Sequence, residues 1–327
     1  MRIDNKREQI VNLRGDLEDN MVDVVIVGSG PAGLSAAVYA RRAKLSVLVI
    51  EKVGYSGGQI VNTSDVDNYL GLQGVEGFEM AMKFRAHAEH FETEFVDDEV
   101  LEINEQLDGT FNVRLKSDKV IETRSIIIAT GANYKKLEVP GEMEYTGRGI
   151  SYCATCDGAF NRGKDVAVIG GGDVALEDAL YLSNLANKVY LIHRRDELRG
   201  AKSLQEKVLS TENICFIPDT VVEAVEGTDG VVSSIDIKNV KSQDVDNISV
   251  NGVFVAIGMK PVSEFVDGLV DLDEYGYIKA NEDCVTSKKG VFVAGDVRTK
   301  ALRQVITAVS DGANAVASLE KYLRELD

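Results

Sequence analysis

Short apolar runs alternate along the chain with glycine-rich turns and amphipathic segments. Residues 22–27 are mostly apolar, a glycine turn with Pro31 follows, residues 34–42 have helical spacing, and residues 46–50 form a second apolar run. Apolar runs bounded by glycine are typical of buried strands, and proline suits the first turn of a helix. The order strand, turn, helix, strand predicts an α/β unit.

The same order returns in the second half of the chain. An apolar run at residues 165–169 leads into another glycine turn, and a helix over residues 176–185 and a strand over residues 188–192 follow. Each copy closes on a further apolar run that ends in glycine, at residues 126–131 and 253–258. We interpret the 327 residues as two domains built from an internal repeat.

Both glycine turns have the spacing of a dinucleotide-binding fingerprint. They read Gly28-x-Gly30-x-x-Gly33 and Gly170-x-Gly172-x-x-Ala175. Glycine lets the backbone approach a pyrophosphate closely, and the start of the next helix presents free N–H groups to it. Since each turn joins a predicted strand to a predicted helix, we expect two dinucleotide sites.

The residue after the second strand of each copy distinguishes the two sites. In the first copy it is Glu51, and the equivalent place in the second holds His193-Arg194-Arg195, with Arg199 nearby. A carboxylate there accepts hydrogen bonds from ribose hydroxyls, as FAD and NAD sites require. Guanidinium groups match phosphate oxygens instead, so we expect the second site to prefer NADPH. Arginines at a solvated strand end are the alternative interpretation.

A third segment fits the first site. Residues 289–294 end in Gly295-Asp296, and a helix is predicted to begin at residue 301. Asp296 is suited to hydrogen-bond a flavin ribityl chain, and the positive end of a helix suits a reduced flavin. An ordinary strand-to-helix connection is the alternative.

Two of the four cysteines, Cys153 and Cys156, stand close together between the two glycine turns. Such a pair can cycle between dithiol and disulfide, and between a flavin and an NADPH site it would end a hydride-to-thiol relay. Cys215 and Cys284 have no neighbouring partner in sequence, and we interpret them as structural. This cysteine usage does not resemble a secreted scaffold, so we expect a reducing compartment, the cytoplasm.

Composition argues against several classes of protein. The net charge of −17 and pI near 4.7 disfavour a nucleic acid partner. The apolar runs are far shorter than the roughly 20 residues that span a membrane, so we expect no membrane partner. Residues 1–20 are highly charged, do not resemble a secretory signal, and are interpreted as a polar extension.

Together these motifs resemble the low-molecular-weight, bacterial-type NADPH-dependent thioredoxin reductases, in the class II pyridine nucleotide-disulfide oxidoreductase family. The most specific motif is Cys153-Ala-Thr-Cys156-Asp157-Gly158, and the resemblance covers the chain from about residue 22. It implies two Rossmann-like domains in a homodimer. An NADPH domain, residues 137–246, would be inserted into a discontinuous FAD domain, residues 21–136 and 247–327.

The resemblance also implies roles for individual residues. Electrons would pass from NADPH to FAD and to the disulfide at Cys156; Cys153 would attack thioredoxin, and Asp157 would exchange protons with the thiols. The implied FAD contacts are Gly28, Gly30, Pro31, Ala32, Gly33, Glu51, Lys52, Gly58, Gln59, Asn68, Val100, Ala129, Thr130, Gly131, Gly295, Asp296, Arg303 and Gln304. The implied NADPH contacts are Gly170, Gly172, Asp173, Val174, Ala175, His193, Arg194, Arg195 and Arg199.

The chain departs from the family pattern at two positions. Val174 stands where a small hydroxyl residue is common, and Asp178 where Glu is common. Relatives that take electrons from ferredoxin lack the arginine motif, which is present here. The alternatives are a thioredoxin reductase with ferredoxin or NADH as donor, a flavin-type ferredoxin–NADP reductase without the redox disulfide, and a zinc site in a nucleotide-binding regulator.

Overall fold

The computed structural model describes residues 21–63 and 66–326, so the predicted extension at residues 1–20 lies outside the described residues. The strands are β1 (Val24–Val27), β2 (Val47–Glu51), β3 (Glu94–Asp97), β4 (Val100–Glu105), β5 (Phe111–Leu115), β6 (Val120–Thr123), β7 (Ile126–Ile128), β8 (Ala132–Tyr134), β9 (Ile150–Ser151), β10 (Asp165–Ile169), β11 (Lys188–Ile192), β12 (Ile214–Ile217), β13 (Thr220–Thr228), β14 (Val231–Asn239), β15 (Val245–Ser249), β16 (Gly252–Val255), β17 (Met259–Pro261) and β18 (Val291–Val293). The α-helices are α1 (Pro31–Arg42), α2 (Gly77–His90), α3 (Glu142–Tyr145), α4 (Ala154–Asp157), α5 (Asp173–Ser183), α6 (Lys202–Ser210) and α7 (Val305–Leu326).

These elements form two compact units. Among the described residues, the first comprises 21–63, 69–133 and 261–326, and the second comprises 66–68 and 134–260. The first unit is therefore discontinuous in sequence. Within the described part of the chain, no helix is both long and apolar enough to cross a membrane.

The first unit is built on a parallel sheet of order β18-β7-β1-β2-β3. Every residue of β1 and β2 is buried, so both faces of the sheet require a cover. One face packs against α1 and α7, with Leu34 and Leu319 in that core. The other packs against the antiparallel sheet β4-β5-β6, which supplies Phe111 and Leu115.

The second unit repeats this plan. Its parallel sheet has the order β12-β11-β10-β16-β9, with Leu176 of α5 and Val208 of α6 in the core on one face. The antiparallel sheet β13-β14-β15 covers the other face. The predicted α/β class with two Rossmann-like units is confirmed.

The structure differs from the sequence interpretation in two places. The sequence predicts residues 247–260 to be part of the first domain, but they group with the second unit, where β16 pairs with β10, Val166 opposite Gly252. The last helix begins at Val305 rather than at residue 301. Its expected first turn is absent because the Arg303 side chain hydrogen-bonds to backbone carbonyls of the preceding turn.

Candidate active site

The first glycine turn joins β1 to α1 through a close backbone contact. Gly28 has a φ of 102°, and a Cβ atom on Gly33 would lie 1.9 Å from the Gly28 carbonyl oxygen. Gly33 therefore lets the helix pack tightly on the strand. A Cβ atom on Gly30 would meet no atom of the described residues within 4 Å, so this side of the turn is open to a ligand.

Glu51 ends β2 beside the same turn. Its carboxylate is buried, and Oε2 accepts hydrogen bonds from the N–H of Ser29 at 2.9 Å and from the Ser29 hydroxyl at 2.6 Å. Oε1 accepts a bond from the Val53 N–H at 3.2 Å. The acid is thus fixed to the turn, at the strand end where a dinucleotide places its ribose.

The Gly295-Asp296 turn after β18 lies against the start of α1. Gly295 has a φ of +82°, and a Cβ atom there would lie 2.9 Å from the Cβ of Ala32. Asp296 Oδ1 is buried and has no hydrogen-bond partner among the described residues. Burial raises the pKa of Asp296, while the charges of Lys300 and Arg303 lower it. An unpaired buried oxygen beside an open glycine turn fits a hydroxyl of a flavin ribityl chain.

The other residues expected at the first site are more dispersed. A Cβ atom on Gly58 would lie 3.5 Å from the Gly30 Cα, and the Thr130 hydroxyl donates to the Val262 carbonyl at 2.6 Å. Asn68 belongs to residues 66–68, which group with the second unit. Elsewhere, Ala129 and Val100 are buried, Lys52 is exposed, Gly131 follows β7, Gln59 lies in a 3₁₀ turn, and Arg303 and Gln304 precede α7.

The second glycine turn joins β10 to α5 in the same way. A Cβ atom on Gly170 would lie 2.4 Å from the Ala256 carbonyl oxygen, whereas one on Gly172 would meet no described atom within 4 Å. The helix begins directly afterwards at Asp173, whose Oδ1 accepts the Ala201 N–H at 2.7 Å. Val174 follows with an exposed side chain, and Ala175 is buried against the core.

The basic segment, residues 193–199, contacts the second glycine turn. The Arg199 N–H donates to the Gly171 carbonyl at 2.6 Å, and a Cβ atom on Gly171 would lie 2.6 Å from ring atoms of His193. His193 is buried, its Nε2 has no partner among the described residues, and burial and the charges of Arg199, Arg194 and Arg195 lower its pKa. The three arginine side chains are exposed. Guanidinium groups beside an open glycine turn fit a phosphorylated dinucleotide.

Cys153 and Cys156 form a disulfide at the start of α4 in the second unit. Both residues are partly buried. The N–H groups of Cys156 and Asp157 donate to the Cys153 carbonyl at 3.2 and 3.1 Å. Cys153 Sγ lies 3.4 Å from the Thr155 hydroxyl, which stabilises a thiolate if it donates to the sulfur.

Asp157 supplies an acid next to the disulfide. The Ser151 hydroxyl donates to Asp157 Oδ2 at 2.6 Å, and the same Ser151 oxygen accepts the Cys153 N–H at 3.0 Å. Asp157 Oδ1 is buried without a partner among the described residues. Burial raises the pKa of Asp157, and the Ser151 hydrogen bond opposes that shift. A carboxyl group held in this way can deliver a proton to a departing thiolate.

Sequence reasoning missed several supporting residues, among them Ser29, Ser151 and a tyrosine pair. The Tyr152 hydroxyl donates to the buried Glu142 at 2.9 Å, and its ring stacks on Tyr134 with centroids 5.2 Å apart. Burial raises the pKa of Tyr152 to about 12. Two of these residues could have been found from their position in the sequence, because Ser151 and Tyr152 directly precede the first redox cysteine.

The two other cysteines are free thiols. Cys215 lies partly buried in β12. Cys284 is fully buried, and its Sγ donates to the Asp311 carbonyl at 3.4 Å. Burial raises the pKa of the Cys284 thiol to about 12, which makes it a poor nucleophile.

Comparisons with known proteins agree with this geometry. Residues 22–312 match the family model described as pyridine nucleotide-disulphide oxidoreductase. The thioredoxin reductase of Bacillus subtilis (strain 168) is 42% identical over 94% of this chain and 97% of its own length. That of Peptoclostridium litorale is 44% identical over 94% and 99%. The crystal structure of thioredoxin reductase from Streptococcus pyogenes MGAS5005 is 46% identical, with a TM-score of 0.88 over 93% of this chain and 99% of that one.

The matched region contains both glycine turns, the redox disulfide and the Gly295-Asp296 turn. Family membership implies an oxidoreductase that uses a flavin and a nicotinamide cofactor. The resemblance drawn from the sequence is confirmed, and the chain belongs to the pyridine nucleotide-disulphide oxidoreductase family.

Proposed function

We propose that the protein is an NADPH-dependent thioredoxin reductase, with FAD bound by the first unit and NADPH by the second. One observation carries the proposal. The Cys153–Cys156 disulfide, flanked by the partly buried acid Asp157, lies in the same unit as a glycine turn edged by exposed arginines. Relatives over 40% identical along nearly the whole chain are named thioredoxin reductases.

In this proposal each cofactor is held by residues of one unit. Gly30 leaves room for the FAD pyrophosphate, Glu51 faces its ribose, and the free Oδ1 of Asp296 accepts a ribityl hydroxyl. Arg194 and Arg195 bind the 2′-phosphate of NADPH. Bound FAD would supply the two-electron chemistry between hydride and disulfide.

Residues of the chain itself carry out the exchange between thiols and disulfides. Once the disulfide is reduced, the Cys153 thiolate attacks the disulfide of thioredoxin, a mixed disulfide forms, and one thioredoxin sulfur leaves as a thiolate. Cys156 then attacks Cys153, which restores the internal disulfide and releases the second thioredoxin sulfur. Asp157 delivers and takes back the proton that these sulfurs exchange.

The donor is tested by anaerobic mixing of the yellow protein with NADPH or NADH while flavin absorbance is followed. We expect fast bleaching by NADPH. Arg194→Ala/Arg195→Ala should lower the NADPH to NADH ratio of kcat/KM about 100-fold, since two charge-assisted contacts of roughly 1.5 kcal/mol each are lost. Arg148→Ala, which removes an exposed arginine elsewhere in the unit, is the matched control. A wild-type protein that NADPH does not bleach would exclude this donor.

The acceptor is tested with thioredoxin in the same assay. Cys153→Ser should retain bleaching by NADPH and lose thioredoxin reduction, and a variant that still reduced thioredoxin would contradict the assigned role.

We further propose a cytoplasmic homodimer. Sedimentation equilibrium of the holoprotein tests the dimer, and a mass of 35.5 kDa, that of one chain, would rule it out.

A further inference from the structure

A buried ionic cluster lies next to the Gly295-Asp296 turn in the first unit. Its centre is Asp311 on α7, whose carboxylate accepts hydrogen bonds from Arg298 at 2.9 and 2.8 Å and from Lys300 at 2.8 Å. The side chains of Arg298 and Asp311 are each 3% exposed, and that of Lys300 is 5% exposed. Buried charges are costly unless each is paired, and here one carboxylate pairs with both cations.

The cluster is connected directly to the proposed flavin turn. Asp311 Oδ2 also accepts the Gly295 N–H at 2.9 Å, so one carboxylate fixes both the turn and the two cations. The next residue, Gly312, lies at the crossing of α7 and α1, where a Cβ atom would be 2.3 Å from the Ala32 carbonyl oxygen. Asp311 therefore lies where α7, the Gly295 turn and the start of α1 meet.

The two cations near Asp296 contact groups other than its carboxylate. Lys300 and Arg303 both act on the Asp296 carboxyl electrostatically. Lys300 donates to Asp311, and the Arg303 guanidinium lies 4.2 Å from the centre of the Tyr277 ring. Arg303 also donates to the backbone carbonyls of Asp296 and Arg298, both at 3.4 Å. Asp296 Oδ1 has no partner among the described residues. A buried ammonium without another carboxylate would pair with Asp296 and occupy the oxygen that a ligand needs.

We propose that Asp311 is a positioning residue of the flavin site, which holds Lys300 and the Gly295 amide so that Asp296 stays open to FAD. This inference rests on the proposed function, because it takes FAD as the ligand of Asp296. Asp311 itself does not contact the cofactor. It acts by removing a competitor and by fixing the turn.

The test compares FAD release from four holoprotein variants, followed by the rise in FAD fluorescence on stepwise dilution. Asp311→Asn should raise the Kd for FAD at least tenfold, because Lys300 becomes free to pair with Asp296. Lys300→Met should stay within threefold of wild type. In Asp311→Asn/Lys300→Met the competitor is gone, so we expect the Kd to return to within threefold of that of Lys300→Met. Glu282→Gln is the matched control, because Glu282 contacts Arg298 at 3.4 Å from an 88% exposed position.

A purely structural role for Asp311 makes a different prediction. It would leave the double variant as weak as Asp311→Asn, and that result would overturn the proposal, as would an unchanged Kd in Asp311→Asn. If Asp311→Asn does not fold, the double variant tests the proposal alone. A Kd within threefold of that of Lys300→Met supports the proposal, and a Kd at least tenfold higher overturns it. Failure of the wild-type protein to hold FAD would instead refute the proposed function.

Discussion

Asp157 controls proton movement at the disulfide in this account. Because burial raises its pKa, the carboxyl group keeps a proton to higher pH than an exposed aspartate does. Asp157→Asn should lower the kcat of thioredoxin reduction about 100-fold, the usual contribution of a positioned acid, and leave the KM for NADPH unchanged. Steady-state kinetics with both substrates measures the two effects.

The pH profile provides the control for this prediction. The Ser151 hydroxyl donates to Asp157 and lowers its pKa, so Ser151→Ala should raise that pKa and move the acid-dependent limb of kcat to higher pH. Asp157→Asn should lack the limb. A profile that kept the limb in Asp157→Asn would assign it to another group.

We expect Asp178 to lower the stability of the folded protein as the pH rises. It lies partly buried on α5, and burial, with a smaller contribution from Glu177, raises its pKa to about 7. Its pKa in the unfolded chain is about 4, so the folded protein binds the extra proton between these values and loses stability as the pH rises from about 4 to about 7. We expect Asp178→Asn to be more stable than wild type by on the order of 2 kcal/mol above pH 7, with little gain near pH 4.

Urea unfolding of both proteins at several pH values measures this difference. Glu177→Gln, on the exposed neighbour, is the control and should show no comparable pH-dependent gain. A gain from Asp178→Asn that is the same at pH 5 and pH 8 would show that Asp178 is ionised throughout.

At the scale of elements, two glycines of the turn between β1 and α1 have different roles, one in the stability of the fold and the other in the proposed binding of FAD. A Cβ atom on Gly33 would lie 1.9 Å from the Gly28 carbonyl, so Gly33→Ala should destabilise the protein by about 3 kcal/mol or more. Gly30 has room for a Cβ atom, so Gly30→Ala should unfold like wild type but bind FAD at least tenfold more weakly, since the methyl group occupies the ligand's space.

Thermal unfolding of the FAD-free variants and FAD release from the FAD-loaded variants test the two predictions separately. Gly172→Ala is the equivalent substitution in the second turn and should weaken NADPH binding alone. Equal FAD affinity in Gly30→Ala and wild type would place the pyrophosphate elsewhere.

The sequence was sufficient for elements whose signals are local. Apolar runs next to glycine predicted β1, β10 and both glycine turns, because strand burial and close backbone approach each leave a mark within a few residues. The predicted start of α7 was wrong because the Arg303 side chain hydrogen-bonds to the carbonyls of Asp296 and Arg298 and holds the preceding turn.

Contacts between residues that are distant in sequence leave no such local pattern. Asp311 is 13 residues from Arg298 and lies on another element, and nothing in the spacing of the two indicates a pair. Ser29 and Glu51 are likewise joined only through the fold. The positions of the proposed cofactor residues were predicted, whereas the side chains that fix them required the structure.

At the scale of the whole molecule, the proposed function is that of an electron relay. One unit carries the open glycine turn with Glu51 and Asp296, and the other carries the arginine-edged turn and the disulfide. The repeat explains why one chain has two open glycine turns, and Glu51 at one and the arginines at the other are the basis of the two preferences that we propose. The relay requires that the flavin and the disulfide both accept electrons from one donor.

An anaerobic reductive titration of the holoprotein tests this claim most directly, with flavin absorbance and free thiols followed together. Wild type should take up about four electrons per chain, two for the flavin and two for the disulfide. Cys153→Ser/Cys156→Ser should take up about two. A wild-type protein that accepted only about two electrons and gained no thiols would contradict the relay.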